Sequence, residues 1–323
     1  MQEIIVTPNE AGQRFDKLIA KYLNEAPKSF IYKMLRKKNI VLNGKKATGN
    51  EKLEVGDQIK FFLADETIEK FSKVTVQKTK QRLDVIYEDD NILLINKPVG
   101  MLSQKADAKD ESLVEHIITY LLDSGQLTEE ALRKFKPSIC NRLDRNTSGL
   151  VVAGKSLLGL QKMGELFKER SMRKFYRCLV AGEVKEKQYI KGYLFKDEGM
   201  NRVKISSREI KNSLPIETEY EPLWTNGKCT LLEVHLITGR THQIRAHLAS
   251  VNHWIIGDYK YGNRKLNDSY KQEYGLESQL LHAYRLELPE LFGDFKNISL
   301  KQFIAPLPEL FEKILKEEKN NKG

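Results

Sequence analysis

The sequence predicts an α+β protein in which a mixed, largely antiparallel sheet domain follows a small, separate N-terminal unit. Three observations carry this. Apolar, strand-like runs lie next to one another in the chain and are joined by tight turns, at Asp89-Asp90-Asn91 and at Asn226-Gly227, which favours antiparallel pairing over a doubly wound sheet. At 323 residues the chain is about twice a typical domain. Residues 64–81 (ADETIEKFSKVTVQKTKQ) are polar, lack a sustained period and read as a linker between two parts.

Before that linker, GQRFDKLIAKYL places Phe15, Leu18, Ile19 and Leu23 at helical spacing, and SFIYKMLRKKN does the same with Phe30, Ile31, Met34 and Leu35. IVLNGKKAT then runs a strand into Asn43-Gly44, a strong hairpin signal because both residues tolerate positive φ. Val55-Gly56-Asp57 marks a further turn before the strand IKFFL. The expectation is two short helices followed by a hairpin; with the linker this unit takes residues 1–75.

The larger unit takes residues 80–315. LDVIYEDDNILLINKPVGM reads as two strands around its turn, stopped by Pro98 and Gly100. SLVEHIITYLL is helical, LVVAGK a strand, SLLGLQKMGELFKER a helix and RKFYRCLVAGEV a strand. IETEYEPLWT and KCTLLEVHLIT form a pair of strands, THQIRAHLASV a helix and HAYRLELPE a strand. Residues 316–323 (KEEKNNKG) are expected to be a flexible, frayed tail.

Lysine and arginine number 54 against 44 acidic residues, a net charge of +10. That excess suits a polyanionic partner, although many proteins without one share it. Cys140, Cys178 and Cys229 form no C-x-x-C pair, which argues against a zinc module or a disulfide framework and fits a reducing compartment. The N-terminus lacks a cationic start followed by an apolar run, and no stretch approaches the ~18 apolar residues of a membrane helix. A monomeric cytoplasmic protein with no membrane association is expected.

Between Lys28 and Lys46 the chain holds Lys28, Lys33, Arg36, Lys37, Lys38, Lys45 and Lys46 and no acid. Part of this has a structural reading, because a helix C-terminus favours cations. The other reading is a phosphate-contacting surface for RNA on a rigid helix and hairpin. QRFDKLIAKYL, SFIYKMLRKKNIVLNGKK and VGDQIKF, in that order, resemble the S4 RNA-binding module over about 50 residues. The resemblance implies contact with structured RNA through Lys33, Arg36, Lys37, Lys38, Lys45 and Lys46, by shape and phosphate rather than sequence.

The richest segment is Asn141-Arg142-Leu143-Asp144-Arg145-Asn146-Thr147-Ser148-Gly149-Leu150-Val151-Val152. An acid stands between two arginines in a polar loop that Ser148-Gly149 hands to a buried strand. Flanking cations favour the ionised carboxylate, and such a group on a loop over a rigid sheet suits a nucleophile that forms and later releases a covalent intermediate. An ordinary Asp–Arg turn network is the bland alternative.

RLDRNTSGLVV resembles the catalytic motif R-L-D-R-x-T-S-G-L of the RluA-type pseudouridine synthases. INKPVGM is similar to that family's first motif, RKFYRCLVAG to its K-x-Y strand, and LITGRTHQIRAHLAS with IIGDYKYG to its third motif and trailing segment. The matches span roughly residues 83–289, behind the S4-like unit. The resemblance implies the pseudouridine synthase fold and RNA uridine isomerisation. It makes Asp144 the nucleophile and stacks Tyr176 on the uracil, where it offers a base for the C5 proton. Arg245 would hold Asp144 and Arg142 would reach the RNA. Asn141 departs from the family's frequent His, and Arg177-Cys178 from its small residue; both bear on subfamily and target.

The isomerisation needs no redox change and no external group, so no cofactor or metal is implied. Attack at C1′, attack at C6 and help with 2′ deprotonation all stay open for Asp144. With an S4-like unit the resemblance points to large-subunit, 23S, ribosomal RNA, with transfer RNA as the next choice.

His235, His242 and His247 invite a zinc site, but His242 and His247 are five apart and no cysteine is near. On a helix His242 and Arg245 (i, i+3) share a face, making His242 an RNA contact or a support behind the site residues. A Ser148, His242 and Asp144 hydrolase can be drawn, but the G-x-S-x-G elbow is missing. A non-catalytic RNA-binding or ribosome-assembly factor would share the basic module, but would have no need for Asp144, Tyr176 and Arg245 together.

Overall fold

A computed structural model of the chain describes residues 1–320 except 74–75, 81, 108, 198 and 200–201. The N-terminal part runs β1 (Gln2–Ile5), α1 (Phe15–Tyr22), α2 (Lys28–Arg36), β2 (Ile40–Leu42), β3 (Gln58–Phe61) and α3 (Asp65–Phe71). Both helices read from the sequence form, and their apolar stripes meet the sheet: Phe15, Leu18, Ile19, Ile31, Leu35, Ile59 and Phe61 are buried in one cluster. Each such side chain contributes about 1.5–3 kcal/mol.

The expected hairpin differs. Asn43 (φ 49°) and Gly44 (φ 71°) do form a tight turn, with the Leu42 N–H donating to the Lys45 carbonyl. The ladder partner of β2, however, is β3, and β1 completes the order β1-β3-β2. After the turn KKATGN offers no alternating apolar residues, whereas Ile59 and Phe61 on β3 do. Asn43 fixes that pairing, its side chain accepting from the Gln58 N–H at 2.8 Å. The expected linker is also partly wrong: residues 65–71 are helical, with Ile68 fully buried in the same core. One inward apolar side chain on a short helix is too weak a period to detect. Residues 74–75 and 81 of that linker lie outside the described residues.

The larger part begins with β4 (Val85–Glu88), β5 (Ile92–Lys97), α4 (Leu113–Asp123), α5 (Glu129–Leu132), β6 (Ser138–Ile139), β7 (Ser148–Gly154) and α6 (Leu157–Glu169). It continues with β8 (Arg173–Ala181), β9 (Gln188–Asp197), β10 (Arg202–Ser206), β11 (Leu214–Thr225) and β12 (Cys229–Leu236). It closes with α7 (Gln243–Ser250), α8 (Arg264–Tyr274), β13 (Leu281–Glu287), β14 (Gln302–Ile304) and α9 (Glu309–Asn320). The main sheet has the order β10-β9-β11-β12-β8-β13-β7-β5-β4, with β14 beside β13 and β6 beside β7. Among the described residues its pairs are antiparallel except β13 with β7, so the α+β, mixed and largely antiparallel expectation describes it.

Strands β5 and β7 are covered on both faces, which explains their unbroken apolar runs. Leu93, Ile95, Val151 and Ala153 pack with α4 on one side, and Ile92, Leu94, Leu150 and Val152 pack with α6 on the other. The Ser112 N–H and Oγ both donate to Glu115, closing the first turn of α4. Ser156 caps α6 by accepting from the Gly159 N–H at 2.9 Å.

The C-terminus corrects another expectation. Residues 316–320 continue α9, which buries Phe311, Ile314 and Leu315. Glu318 accepts from Tyr270 Oη at 2.5 Å and from Asn226 Nδ2 at 3.0 Å. Residues 321–323 lie outside the described residues. Among the described residues no helix is long and apolar enough to cross a membrane.

Candidate active site

Asp144 stands on the loop that leads into β7, and that loop is stitched down from two sides. Ser103 Oγ donates to the Leu143 carbonyl at 2.7 Å and accepts from the Leu143 N–H at 3.0 Å. The Gly100 N–H donates to the Arg145 carbonyl at 2.9 Å, and Arg145 Nε donates back to the Gly100 carbonyl at 3.0 Å. Beneath them Lys97 is fully buried, its ammonium donating to the carbonyls of Pro98, Met101 and Arg145 at 2.9, 2.9 and 3.2 Å. Burial pulls Lys97 down to about 7, while the nearby Asp144 charge favours the ammonium. Three carbonyl acceptors match its three N–H groups and favour the charged form as well.

Two further residues set where the loop sits. Asn141 Oδ1 accepts from the Val152 N–H at 2.8 Å, and its Nδ2 donates to the Leu150 carbonyl at 3.3 Å, so it replaces a missing stretch of ladder. Gly149 (φ +110°) meets β13 so closely that a Cβ would lie 2.2 Å from the Ala283 carbonyl oxygen. Only glycine permits that approach.

Asp144 is met by Arg245, whose Nη1 donates to Asp144 Oδ2 at 2.8 Å. The rest of the guanidinium is taken by Asp258: Nε to Oδ2 at 2.7 Å and Nη2 to Oδ1 at 2.9 Å. Burial works against the arginine's charge, but Asp258 and then Asp144 raise its pKa overall. Asp258 is itself fixed by the N–H groups of Lys260 and Tyr261. A second cation-capable group faces the same carboxylate oxygen, with His242 Nε2 3.7 Å from Asp144 Oδ2. Burial lowers the His242 pKa, which favours the neutral ring; the Asp144 charge opposes that effect and Arg245 and Lys260 reinforce it.

Helical spacing is not what brings His242 and Arg245 together. The helix α7 starts at Gln243, and His242 is its N-cap in the left-handed region (φ 55°). Tyr176 on β8 also lines the site and is almost fully buried. Burial, and secondarily the Asp144 charge, push its hydroxyl pKa up, so the phenol stays protonated. A neutral phenol is not itself a base, so these surroundings do not favour the base role expected for it.

The cleft over these groups has a volume of about 910 Å³. Its described lining includes Lys105, Arg142, Arg145, Lys168, Arg170, Lys174, Arg240 and Arg245, with Asp144 as the single carboxylate. The Lys174 pKa is pushed down by burial and by Arg170 beside it, and the buried Arg240 Nε has no hydrogen-bond partner among the described residues. Crowded cations around one acid make a receptor for a polyanion.

Asp144, Tyr176, Arg245, Arg142 and His242 thus converge. Lys33, Arg36, Lys37, Lys38, Lys45 and Lys46 lie apart on the N-terminal part, all exposed and none ion-paired among the described residues. Lys97, Asp258, Tyr261 and the cleft cations Lys168, Arg170, Lys174 and Arg240 were not singled out by sequence reasoning. Asp258 and Tyr261 stand in IIGDYKYG, a segment the family resemblance had marked without assigning residues.

The alternatives fare differently. Ser148 is buried and pairs with His282 Nδ1 at 2.9 Å, while His282 Nε2 meets the Ala305 carbonyl at 3.1 Å. Burial drops the His282 pKa to about 4, so this is a neutral structural tie and not a hydrolase pair with His242. The three histidines considered for zinc go to separate partners. His235 pairs with Glu219 and stacks on Phe175, His247 bonds Thr218 Oγ1, and His242 bonds Tyr261 Oη.

The model of the RNA pseudouridylate synthase family matches residues 91–250. The ribosomal large subunit pseudouridine synthase C of Vibrio parahaemolyticus serotype O3:K6 is 31% identical over 327 residues, 98% of this chain and 96% of that protein. Its namesake in Escherichia coli K12 is 30% identical, with the same coverage. Among solved structures, human RNA pseudouridylate synthase domain containing 4 superposes with a TM-score of 0.59 at 22% identity, covering 73% of this chain and 93% of that one, a likeness of fold.

Proposed function

The chain belongs to the RNA pseudouridylate synthase family, an enzyme isomerising uridine in RNA, and on that premise we propose that Asp144 is its nucleophile and large-subunit (23S) ribosomal RNA its substrate. The observation that carries the first part is the Asp144–Arg245–Asp258 chain at a cleft whose described lining holds no carboxylate besides Asp144. The second part rests on the names of the full-length relatives. Cytoplasmic ribosomal RNA would be reached by a monomer of this size.

Isomerisation breaks the N1–C1′ bond, turns the uracil and joins C5 to C1′. The target base must first leave its stack, at a cost of a few kcal/mol. Cations at the cleft rim, Arg142 among them, hold the backbone, and stacking on Tyr176 returns about 1–3 kcal/mol. Arg245, itself locked by Asp258, keeps the attacking carboxylate in one orientation, so little reorganisation is left for the transition state. The exposed Lys33, Arg36, Lys37, Lys38, Lys45 and Lys46 add phosphate contacts outside the cleft.

The test is single-nucleotide pseudouridine mapping of total RNA from cells with the wild-type chain and with Asp144→Asn. Loss of one or a few pseudouridines confined to large-subunit ribosomal RNA is the expected result. Losses only in transfer RNA would replace the substrate. If all sites survive while the folded variant is present, in cells without a redundant enzyme, the chain is a non-catalytic RNA binder.

A further inference from the structure

Tyr261 touches both groups that face the nucleophile. Its hydroxyl lies 3.0 Å from His242 Nδ1, and its ring lies under the Arg245 guanidinium, 5.2 Å from ring centre to Cζ. Its own N–H donates to Asp258, the residue that fixes Arg245. On its far side the hydroxyl accepts from the Val203 N–H at 3.0 Å. Val203 is on β10, the edge strand of the main sheet and one arm of the β9–β10 hairpin.

The donors decide the protons. A backbone N–H can only donate, so Val203 uses one lone pair of the Tyr261 oxygen. The hydroxyl proton then has one acceptor in the described hydrogen bonds, His242 Nδ1. A neutral ring that accepts at Nδ1 carries its proton at Nε2, and Nε2 is the atom that faces Asp144 Oδ2. We propose that Tyr261 is a positioning residue: it holds His242 as the Nε2–H tautomer aimed at Asp144 and anchors that aim to the β9–β10 hairpin. This rests on Asp144 being the reacting group and extends that reading to the second group facing its carboxylate.

Around the ring stand Asp144 on its loop, Arg245 on α7, and Asp258 and Lys260 on the segment that also carries Tyr261; Arg202 of β10 acts on Lys260. With Tyr261 donating to Nδ1, the ring takes up a second proton less readily. Without it Nδ1 is open, Asp144 favours the cation, and protonation moves to higher pH.

The measurement is nitrogen-15 NMR of the histidine ring in the free full-length protein, combined with single-turnover kinetics. Wild type is expected to show the Nε2–H pattern for His242. Tyr261→Phe keeps the ring under Arg245 and removes only the hydroxyl. It should shift the signal toward the Nδ1–H or doubly protonated form, lower the maximal rate roughly tenfold with KM within about twofold, and move the acid limb of the rate profile up in pH. Val203→Pro removes the other donor at an edge position where the ladder keeps all its bonds, and should move the same signal in the same direction. A ring signal unchanged in either variant, or a loss confined to KM, overturns the assignment. The ring signal is read without RNA, so it stands or falls separately from the role of Asp144.

Discussion

Two regions carry the chain's densest positive charge, and they hold it in opposite ways. On the N-terminal part Lys33, Arg36, Lys37, Lys38, Lys45 and Lys46 project into solvent without acidic partners among the described residues. In the cleft Arg245 is buried, three of its nitrogens are committed to two carboxylates, and the helix, loop and segment around it are themselves pinned. Exposed cations bind a polyanion through counterion release, a contribution that salt removes. A buried and paired cation contributes little to that term; what it supplies is the direction of one carboxylate.

Removing the buried member should have the largest effect. Arg245→Ala leaves the buried Asp258 with backbone donors but no cation, so turnover should fall by at least about a hundredfold and stability by roughly 3–5 kcal/mol. Arg245→Lys restores the charge but not the fork and should stay below about a tenth of normal turnover. Kinetics and urea midpoints check both, and normal turnover in Arg245→Ala would erase the distinction between the regions.

Acid should separate the two parts next. All six histidines lie beyond residue 115, and His247 and His282 are fully buried with pKa values lowered to about 4 by burial. Their folded values are below the ordinary 6.5, so the unfolded chain binds more protons between those limits. Stability is complete above about 6.5 and declines as pH falls toward 4, by about 2 kcal/mol per ring at pH 5. Hydrogen exchange at pH 5 should therefore open the larger sheet while the N-terminal part keeps its protection; equal loss in both would count against this.

A comparable but smaller loss is expected from Lys97→Met, which keeps the volume, removes the ammonium donor from the Pro98 and Met101 carbonyls and leaves the Arg145 carbonyl to Gly100 under the Asp144 loop. A destabilisation of about 1–3 kcal/mol, with a slower maximal rate, is the expected result in thermal melts and single-turnover assays. The gentlest change falls on the exposed region. Replacing Lys37, Lys38, Lys45 and Lys46 with Gln should leave the maximal rate within about twofold and flatten the salt dependence of RNA binding, by up to about 0.7–0.9 in log–log slope for each phosphate that is no longer neutralised. An unchanged slope would remove these residues from the RNA surface.

Legibility in the sequence followed burial. Strands covered on both faces, such as ILLINK and SGLVVAG, and helices with a full apolar stripe announced themselves. Edge and peripheral elements did not. In β9 and β10 charged residues interrupt the alternation, α8 buries only Asn267 and Tyr270, and β1 has four residues with one of them buried. In the site, Asp144, Tyr176 and Arg245 stood in recognisable motifs, and the structure brings them together. The roles of Asp258 and Lys97 were not legible, although both stand in segments matched to the family, because they lie in what these residues touch after the chain returns: Asp258 is 114 positions beyond Asp144, and Lys97 ends a strand that opens with four apolar residues. The left-handed cap at His242 was equally hidden, since nothing local favours that conformation there.

The parallel seam between β7 and β13 bears on the order of events during synthesis. Ser148 at the root of the Asp144 loop meets His282, 134 positions later, and Gly149 abuts Ala283. The N-terminal part, by contrast, closes its core with contacts inside its first 71 residues. As the chain leaves the ribosome, that part has all the members of its core roughly 200 residues before β13 emerges. The exposed basic surface is therefore ready first, and Asp144 acquires its rigid footing only near the end of translation.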